Sequence, residues 1–326
     1  MASANETFSS DFIIMGFPEG QLHISFFVAL IYLVTVLGNI SVFTIVQVDN
    51  HLHSPMYFFL SCLSLLDVCY SSVTLPDMLS NAVMGNRNVT FSRCLTQLFF
   101  FVCFGGTECL LLAVMAYDRY VAICQPLHYI TTMNGKICWY LVGGCWIGGF
   151  VNSTFHTTMT LKLTFCRIRN INHYFCDVLP LLHAACSDIQ NSLVMLHVVT
   201  FFLGLIPFVL VTNSYIRIIS TILKIHSAQT RGKVFSTCSS HLIVVTVFYI
   251  FGVFNYNSPN SGDSILIAQS SSLLYGVLPP LLNPVIYCLR NNEVKKALKK
   301  SLLNVSAHFK VIPPRQLREQ TFSLKY

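Results

Sequence analysis

The sequence predicts an all-α membrane protein: a seven-transmembrane helix bundle with its N-terminus outside and a short amphipathic helix after the seventh span. Three observations carry that expectation. Only 10% of the 326 residues are charged and 54% are hydrophobic, whereas a soluble domain carries roughly 25% charged residues. Seven mostly apolar stretches match the length of about 20 residues that a bilayer requires: residues 24–48, 57–83, 94–123, 137–158, 192–223, 234–256 and 265–289. With the N-terminus outside, 15 of the 20 Lys and Arg residues fall on the inner side, as the retention of basic residues in cytoplasmic segments demands. The net charge of +7 is thus a topology signal rather than a nucleic-acid footprint.

The elements follow in order. Residues 1–23 form an outer tail, 24–289 the membrane domain and 290–326 an inner tail. The outer tail carries Glu6, Asp11 and Glu19, no Lys or Arg and no early apolar core. It therefore does not resemble a cleavable signal peptide, and the first span acts as an uncleaved anchor. Its sequon Asn5-Glu6-Thr7 makes Asn5 a glycosylation candidate. The sequon at Asn88 is also outside but close to the membrane; those at Asn152 and Asn304 fall within a span and inside, and are discounted. The second and seventh spans are the weakest, broken by polar residues and proline. Past the seventh, NNEVKKALKKSLLNV sets Val294, Leu298 and Leu302 on one stripe and Lys295, Lys296, Lys299 and Lys300 elsewhere. That pattern fits a basic helix lying on membrane lipid.

Charged groups are rare enough inside the spans to be counted as functional candidates. Asp118 and Arg119 sit side by side at the inner end of the third span, and Asp67 and Glu108 lie at mid-membrane depth, where Asn39 and Asn283 offer hydrogen bonds. These carboxylates hold either a shared proton in a structural network or a sodium ion. Pro207 and Pro284 offer hinges, because proline removes a backbone donor and clashes with the preceding turn; Tyr215 and Tyr287 place hydroxyls near the inner face. Of 13 cysteines, Cys94, Cys166, Cys176 and Cys186 lie outside, where oxidation is permitted. Spacing alone leaves their three pairings open.

MAYDRYVAIC (Met115 to Cys124) with QPLHY after it resembles the third-span end and second inner loop of odorant receptors, within the rhodopsin-like G-protein-coupled receptors. Gly38-Asn39, LHSPMYFFL (Leu52 to Leu60), LSLLD ending at Asp67, FSTCSSHL (Phe235 to Leu242) and PPLLNPVIYCLRN (Pro279 to Asn291) continue the likeness in order, over about residues 20–300. LHSPMYFFL is more similar to the large tetrapod-type class than to the fish-like one. The resemblance implies a receptor without catalytic activity that binds a small volatile odorant and activates a heterotrimeric G protein of the stimulatory type, raising cyclic AMP. It implies the plasma membrane of olfactory cilia, a switch built on Asp118, Arg119, Tyr120, Tyr215, Asn283, Pro284 and Tyr287, and disulfides Cys94–Cys176 and Cys166–Cys186. The chain departs from the family pattern at Val234, at Ile250 and at Asn257-Ser258-Pro259.

The ligand site is expected in the outer half of the bundle. Phe101 and Arg119 are 18 residues apart, or five helical turns and about 27 Å on one face. An inward Arg119 therefore turns Phe101, Val102, Gly105 and Gly106 inward. Tyr249, Gly252, Val253 and Tyr256 recur at helical spacing in the sixth span; Leu273, Gly276 and Val277 form a similar face in the seventh, and Val199 and Thr200 in the fifth. Such a lining suits a mostly hydrophobic molecule held by one or two hydrogen bonds. The upper third span has no acid to hold an amine, and the seventh has no lysine for a Schiff base. Other classes fit less well. Seven spans do not divide into the inverted repeats of a transporter, and the 11 histidines show no metal-ligand spacing such as HExxH. A chemosensory receptor outside olfaction is the nearer alternative.

Overall fold

The computed structural model describes residues 11–16, 22–85, 87–165, 170–257, 264–290 and 293–300. In chain order the elements are β1 (Asp11–Ile14), α1 (Leu22–Val48), α2 (Pro55–Met84), β2 (Asn88–Thr90), α3 (Phe91–Cys124), α4 (Tyr129–Thr132), α5 (Gly135–Leu161), β3 (Asn170–Ile171), α6 (Val178–Ala184), α7 (Gln190–Leu223), α8 (Ala228–Asn257) and α9 (Ser264–Arg290). The seven long helices are α1, α2, α3, α5, α7, α8 and α9. The shortest have 27 residues, or about 40 Å at 1.5 Å per residue, which exceeds a hydrocarbon core of about 30 Å.

Among the described residues, α1, α2, α3, α7 and α8 are both long and apolar enough to cross a membrane. The second span, expected to be weak, is thus sufficiently apolar, and the fourth takes its place beside the seventh. α5 is diluted by glycine and threonine, and α9 by serine and three internal prolines. Local chemistry sets the helix ends. Ser54 and Pro55 start α2, and Gly85, at φ +66°, ends it in the left-handed region that glycine enters freely. Thr90 caps α3 by accepting from Arg93 N at 3.4 Å, and Asn134 caps α5 by accepting from Ile137 N at 3.1 Å.

α3 is the central post, packed on α2, α5 and α7. Its approach to α5 is closest at Gly149, where an added Cβ would lie 2.1 Å from Thr107 Oγ1 and 2.5 Å from Cys103 O. Ser153 Oγ also donates to Phe99 O across this seam. Small residues serve this purpose in lipid, where helices associate by packing rather than by expelling water. Away from the seams, side chains such as Phe26, Phe27, Phe201 and Phe202 are exposed, as lipid-facing positions require.

One end of the bundle carries a three-stranded sheet of order β2-β1-β3. β1 is its central strand, antiparallel to β2 and parallel to β3. Phe12, fully buried, anchors it between the rings of Phe91 and Phe165, with centroids 5.8 and 5.1 Å away. At the other end, residues 293–300 are helical; Val294 and Ala297 are buried, Leu298 half-buried, and the four lysines face outward. Leu302 and Asn5 lie outside the described residues.

Candidate functional site

The half of the bundle nearer the three-stranded sheet converges on an aromatic cage. Phe101, from α3, lies 5.1 Å from the Tyr70 ring of α2, 4.9 Å from Phe175 of the β3–α6 loop and 6.4 Å from Tyr275 of α9. Phe248 of α8 approaches Tyr275 at 5.4 Å. Glycines give these rings room. A Cβ on Gly105 would stand 3.3 Å from Tyr275 Oη and 3.5 Å from Tyr70 Oη, one on Gly252 3.4 Å from Tyr275, and one on Gly276 3.6 Å from Phe101.

Several expected lining residues sit elsewhere. Gly106 is turned about 100° from Gly105 and packs on α5, its Cβ position 3.2 Å from Asn152 Nδ2 and 3.5 Å from Gly149 Cα. Val253 is 59% exposed on the outer face of α8, because Gly252 takes the inward position. Leu273 packs on the α1–α2 side with Val28, Leu75 and Met78, beside Val277 of its own helix. Val199 and Thr200 are half-buried, while Leu196 is the buried residue of that turn. Tyr249 joins the α3–α7–α8 junction, its ring 5.2 Å from Phe208 and its hydroxyl 3.4 Å from Cys109 Sγ. Val102 is buried; the Tyr256 side chain lies outside those described. Tyr70, Phe175, Phe248 and Tyr275 were not expected, though Tyr275 directly precedes Gly276, an expected lining residue.

A lid covers the cage. The Cys94–Cys176 disulfide ties it to α3, and Gln97 Oε1 accepts from Cys176 N at 2.9 Å while Gln97 Nε2 donates to Val73 O at 2.9 Å. Cys186 is also disulfide-bonded, and its N–H donates to Thr164 O at 2.8 Å; its expected partner Cys166 lies outside the described residues. Burial holds the His173 imidazole down at about 4. Asp177, next to the bridged cysteine, is 1% exposed. Its Oδ1 accepts from Val178 N at 2.7 Å and its Oδ2 from Asn255 Nδ2 at 3.3 Å. Burial pushes its pKa up against the pull of these donors and of the nearby Ser272 hydroxyl.

Mid-bundle, the helices meet in a polar core. Pro284 has no N–H, so the carbonyl of Pro280 one turn earlier loses its helical partner. Asn39 Nδ2 repairs this by donating to Pro280 O at 2.9 Å, and Gly38 admits the Pro284 ring, whose Cγ would be 3.1 Å from a Cβ there. Asn283 Nδ2 donates to Asp67 Oδ2 at 2.8 Å. Asp67 Oδ1, both Glu108 oxygens, Asn39 Oδ1 and Asn283 Oδ1 are buried without hydrogen-bond partners. This acceptor-rich set fits a monovalent cation or protons, and among the described residues no cluster of three or more His, Cys, Asp or Glu is placed for a heavier metal.

At the far end Arg119 is bonded to Asp118 Oδ2 through Nε, at 2.9 Å, and through Nη2. Tyr129 Oη donates to Asp118 Oδ1 at 2.9 Å, and burial beside that acid raises the Tyr129 pKa. Tyr215 Oη is 2.8 Å from His241 Nδ1 and 3.3 Å from Cys238 O, joining α7 to α8. Gln125 Nε2 donates to Tyr120 Oη at 3.2 Å. Tyr287 lies in α9, but its side chain is not among those described.

A seven-helix bundle with a disulfide-tied lid over one end and an Asp–Arg pair at the other defines a membrane receptor of the G-protein-coupled class. The olfactory receptor family model matches residues 28–305. The chain is similar to human olfactory receptor 1C1, with 44% identity over 93% of this chain and 98% of that protein. It is also similar to mouse olfactory receptor 8U3, at 46% over 93% and 96%, and to human olfactory receptor 8B8, at 45% over 94% and 99%. The chain belongs to the olfactory receptor family.

Proposed function

We propose that the chain detects a small, mostly hydrophobic volatile molecule in the cage of Phe101, Tyr70, Phe175, Phe248 and Tyr275, and signals through a stimulatory, olfactory-type G protein to raise cyclic AMP. The observation that supports this most is the placement on one helix, α3, of the cage residue Phe101 and the switch residue Arg119, both on the inward face. A ligand that repacks the cage biases α3 against α8, and Arg119, permanently charged and rich in donors, exchanges Asp118 for a cytosolic partner. The lid end then faces outside, the Arg119 end the cytosol, and Asn5 carries glycan; the receptor resides in the plasma membrane of sensory cilia.

In this reading Asp67 and Glu108, with the side-chain oxygens of Asn39 and Asn283, hold a sodium ion. When bound, the ion offsets charge that is costly to bury. Otherwise, the carboxyls hold protons.

The test is a screen of volatile compounds on cells expressing the chain, read as cyclic AMP, with Arg119→Ala at matched surface level. Agonists should raise cyclic AMP in the parent and lose most of that response in the variant. An undiminished response from Arg119→Ala would overturn the switch, and transport of the compounds across proteoliposomes without any cyclic AMP would overturn the receptor reading.

A further inference from the structure

The upper third span contains no acid, and from the sequence that argued against cationic ligands. The fold brings one in from another element. Asp177, carried by the lid, is buried where α8 and α9 meet above the cage. Its partners are donors, the Val178 N–H and the Asn255 amide at a long 3.3 Å, and among the described residues none of the groups acting on it is a cation. A buried carboxylate without a counter-charge is costly and gains most from an opposite charge brought beside it. A second observation points to the same place. Ser272 Oγ, in a residue only 1% exposed, lies near enough to this carboxyl to pull on it but falls short of a full hydrogen bond. Buried hydroxyls nearly always find partners. Ser272 and Tyr275 are three residues apart on α9, as Gly252 and Asn255 are on α8, so the polar cluster stands one turn above the cage on both helices.

We propose that Asp177, with Ser272 and Asn255, is the polar anchor of the ligand site and selects molecules whose aromatic or aliphatic body ends in a protonated amine. Alcohols are second choice, and molecules that offer no donor are third. The anchor rests on the reading of the cage as the odorant site. The body of such a ligand lies among Phe101, Phe175 and Tyr275, and its ammonium donates to the free lone pairs of Asp177 and to Ser272 Oγ. Ammonium and carboxylate then compensate each other, which no uncharged isostere achieves.

Three probes of nearly equal shape test it: 2-phenylethylamine, 2-phenylethanol and propylbenzene, which differ only in the terminal group. Binding to the full-length receptor in lipid nanodiscs is read as thermal stabilisation, and signalling as cyclic AMP. The parent receptor should rank them amine, alcohol, hydrocarbon. Asp177→Asn keeps the side chain's shape and an oxygen for Val178 N; it should weaken the amine about ten- to hundredfold, the range for a hydrogen bond to a charged group, and leave propylbenzene within about twofold. Ser272→Ala, which leaves the Val178 and Asn255 bonds to Asp177 in place, should weaken amine and alcohol several-fold and spare the hydrocarbon. Equal loss of all three probes in both variants, or a parent that binds propylbenzene as tightly as the amine, would overturn the anchor. A parent receptor that binds and answers other volatiles but not the amine would overturn it too. A parent that answers no volatile at all would remove the odorant reading itself.

Discussion

Gly149 should be the least replaceable glycine in the fourth span. In Gly149→Ala the new methyl would stand 2.5 Å from the Cys103 carbonyl and 2.1 Å from Thr107 Oγ1. Thr107 can rotate, at the loss of its hydrogen bond to Cys103 O, 2.8 Å long. The carbonyl is backbone and cannot turn aside. It must retreat by about 1 Å to reach van der Waals contact near 3.5 Å, which parts α3 from α5 where Ser153 also bonds Phe99 O. Overpacking of this kind costs about 1–3 kcal/mol, and a backbone obstacle puts Gly149 at the upper end. At roughly 2–4 °C per kcal/mol for a chain of this order, the receptor should melt about 5–10 °C lower. Gly143 and Gly144 lie on the same helix but would place a methyl in open space; changed to alanine, each should hold or raise the melting point, since alanine is favoured over glycine by about 1 kcal/mol in a helix interior. A thiol-reactive dye reads the transition directly, because eight described cysteines are unpaired and seven-helix unfolding exposes them. If Gly149→Ala melts with the parent, or Gly143→Ala falls as far, the close α3–α5 approach is not what this glycine serves.

Gly105→Leu should raise the threshold for long agonists about tenfold or more while sparing short ones, since it fills the space between the Tyr70 and Tyr275 hydroxyls; dose–response curves across alcohols of increasing length check this, and an equal shift for all would assign Gly105 to helix packing. Cys94→Ser and Cys176→Ser should lower surface delivery to the same degree, each removing a bridge typically worth about 2–4 kcal/mol, as flow cytometry of intact cells would measure. The lid should loosen in acid through His173, whose folded pKa of about 4 lies below its ordinary 6.5. Between those values the unfolded lid binds the proton and the folded one does not, so stability falls as pH drops through this window, by at most roughly 3 kcal/mol. His183 shifts in the same direction and Asp177 in the opposite one, so the measurement is the difference in melting temperature against pH between the parent and His173→Gln, whose slope should be shallower.

The spans were legible because length and apolar content, which a bilayer imposes, are properties of contiguous sequence: the expected 57–83 and 94–123 stand against Pro55–Met84 and Phe91–Cys124. Rotation about each helix axis was less so. In a soluble protein the polar face reports which side is out, but here both lipid and core are apolar, so Val253 and Gly252 looked alike. The register carried down from Arg119 turned Phe101 and Gly105 inward, yet it could not separate Gly105 from Gly106, which are neighbours in sequence and a third of a turn apart in space. Asp177 escaped notice because its depth depends on the Cys94–Cys176 tether pulling a loop over the bundle, a long-range effect that composition does not record. The adjacency of an acid to an outer cysteine was the available hint.

The placement of β1 has a consequence for how the chain is assembled. Residue 13 is paired with Asn88 and with Asn170, so β1 waits for partners made 75 and 157 positions later. Closing such long loops is slow, because entropy is lost before any pairing repays it. The three-stranded sheet is therefore a late event, completed only after α5 has been made and the segment beyond it has come back to β1. Until then Phe12 has neither Phe91 nor Phe165 to shelter it, and β1 is an unpaired strand with an apolar side chain uncovered. A stall in translation before residue 171 leaves β1 without β3, and its apolar face open to chaperones or to a neighbouring chain.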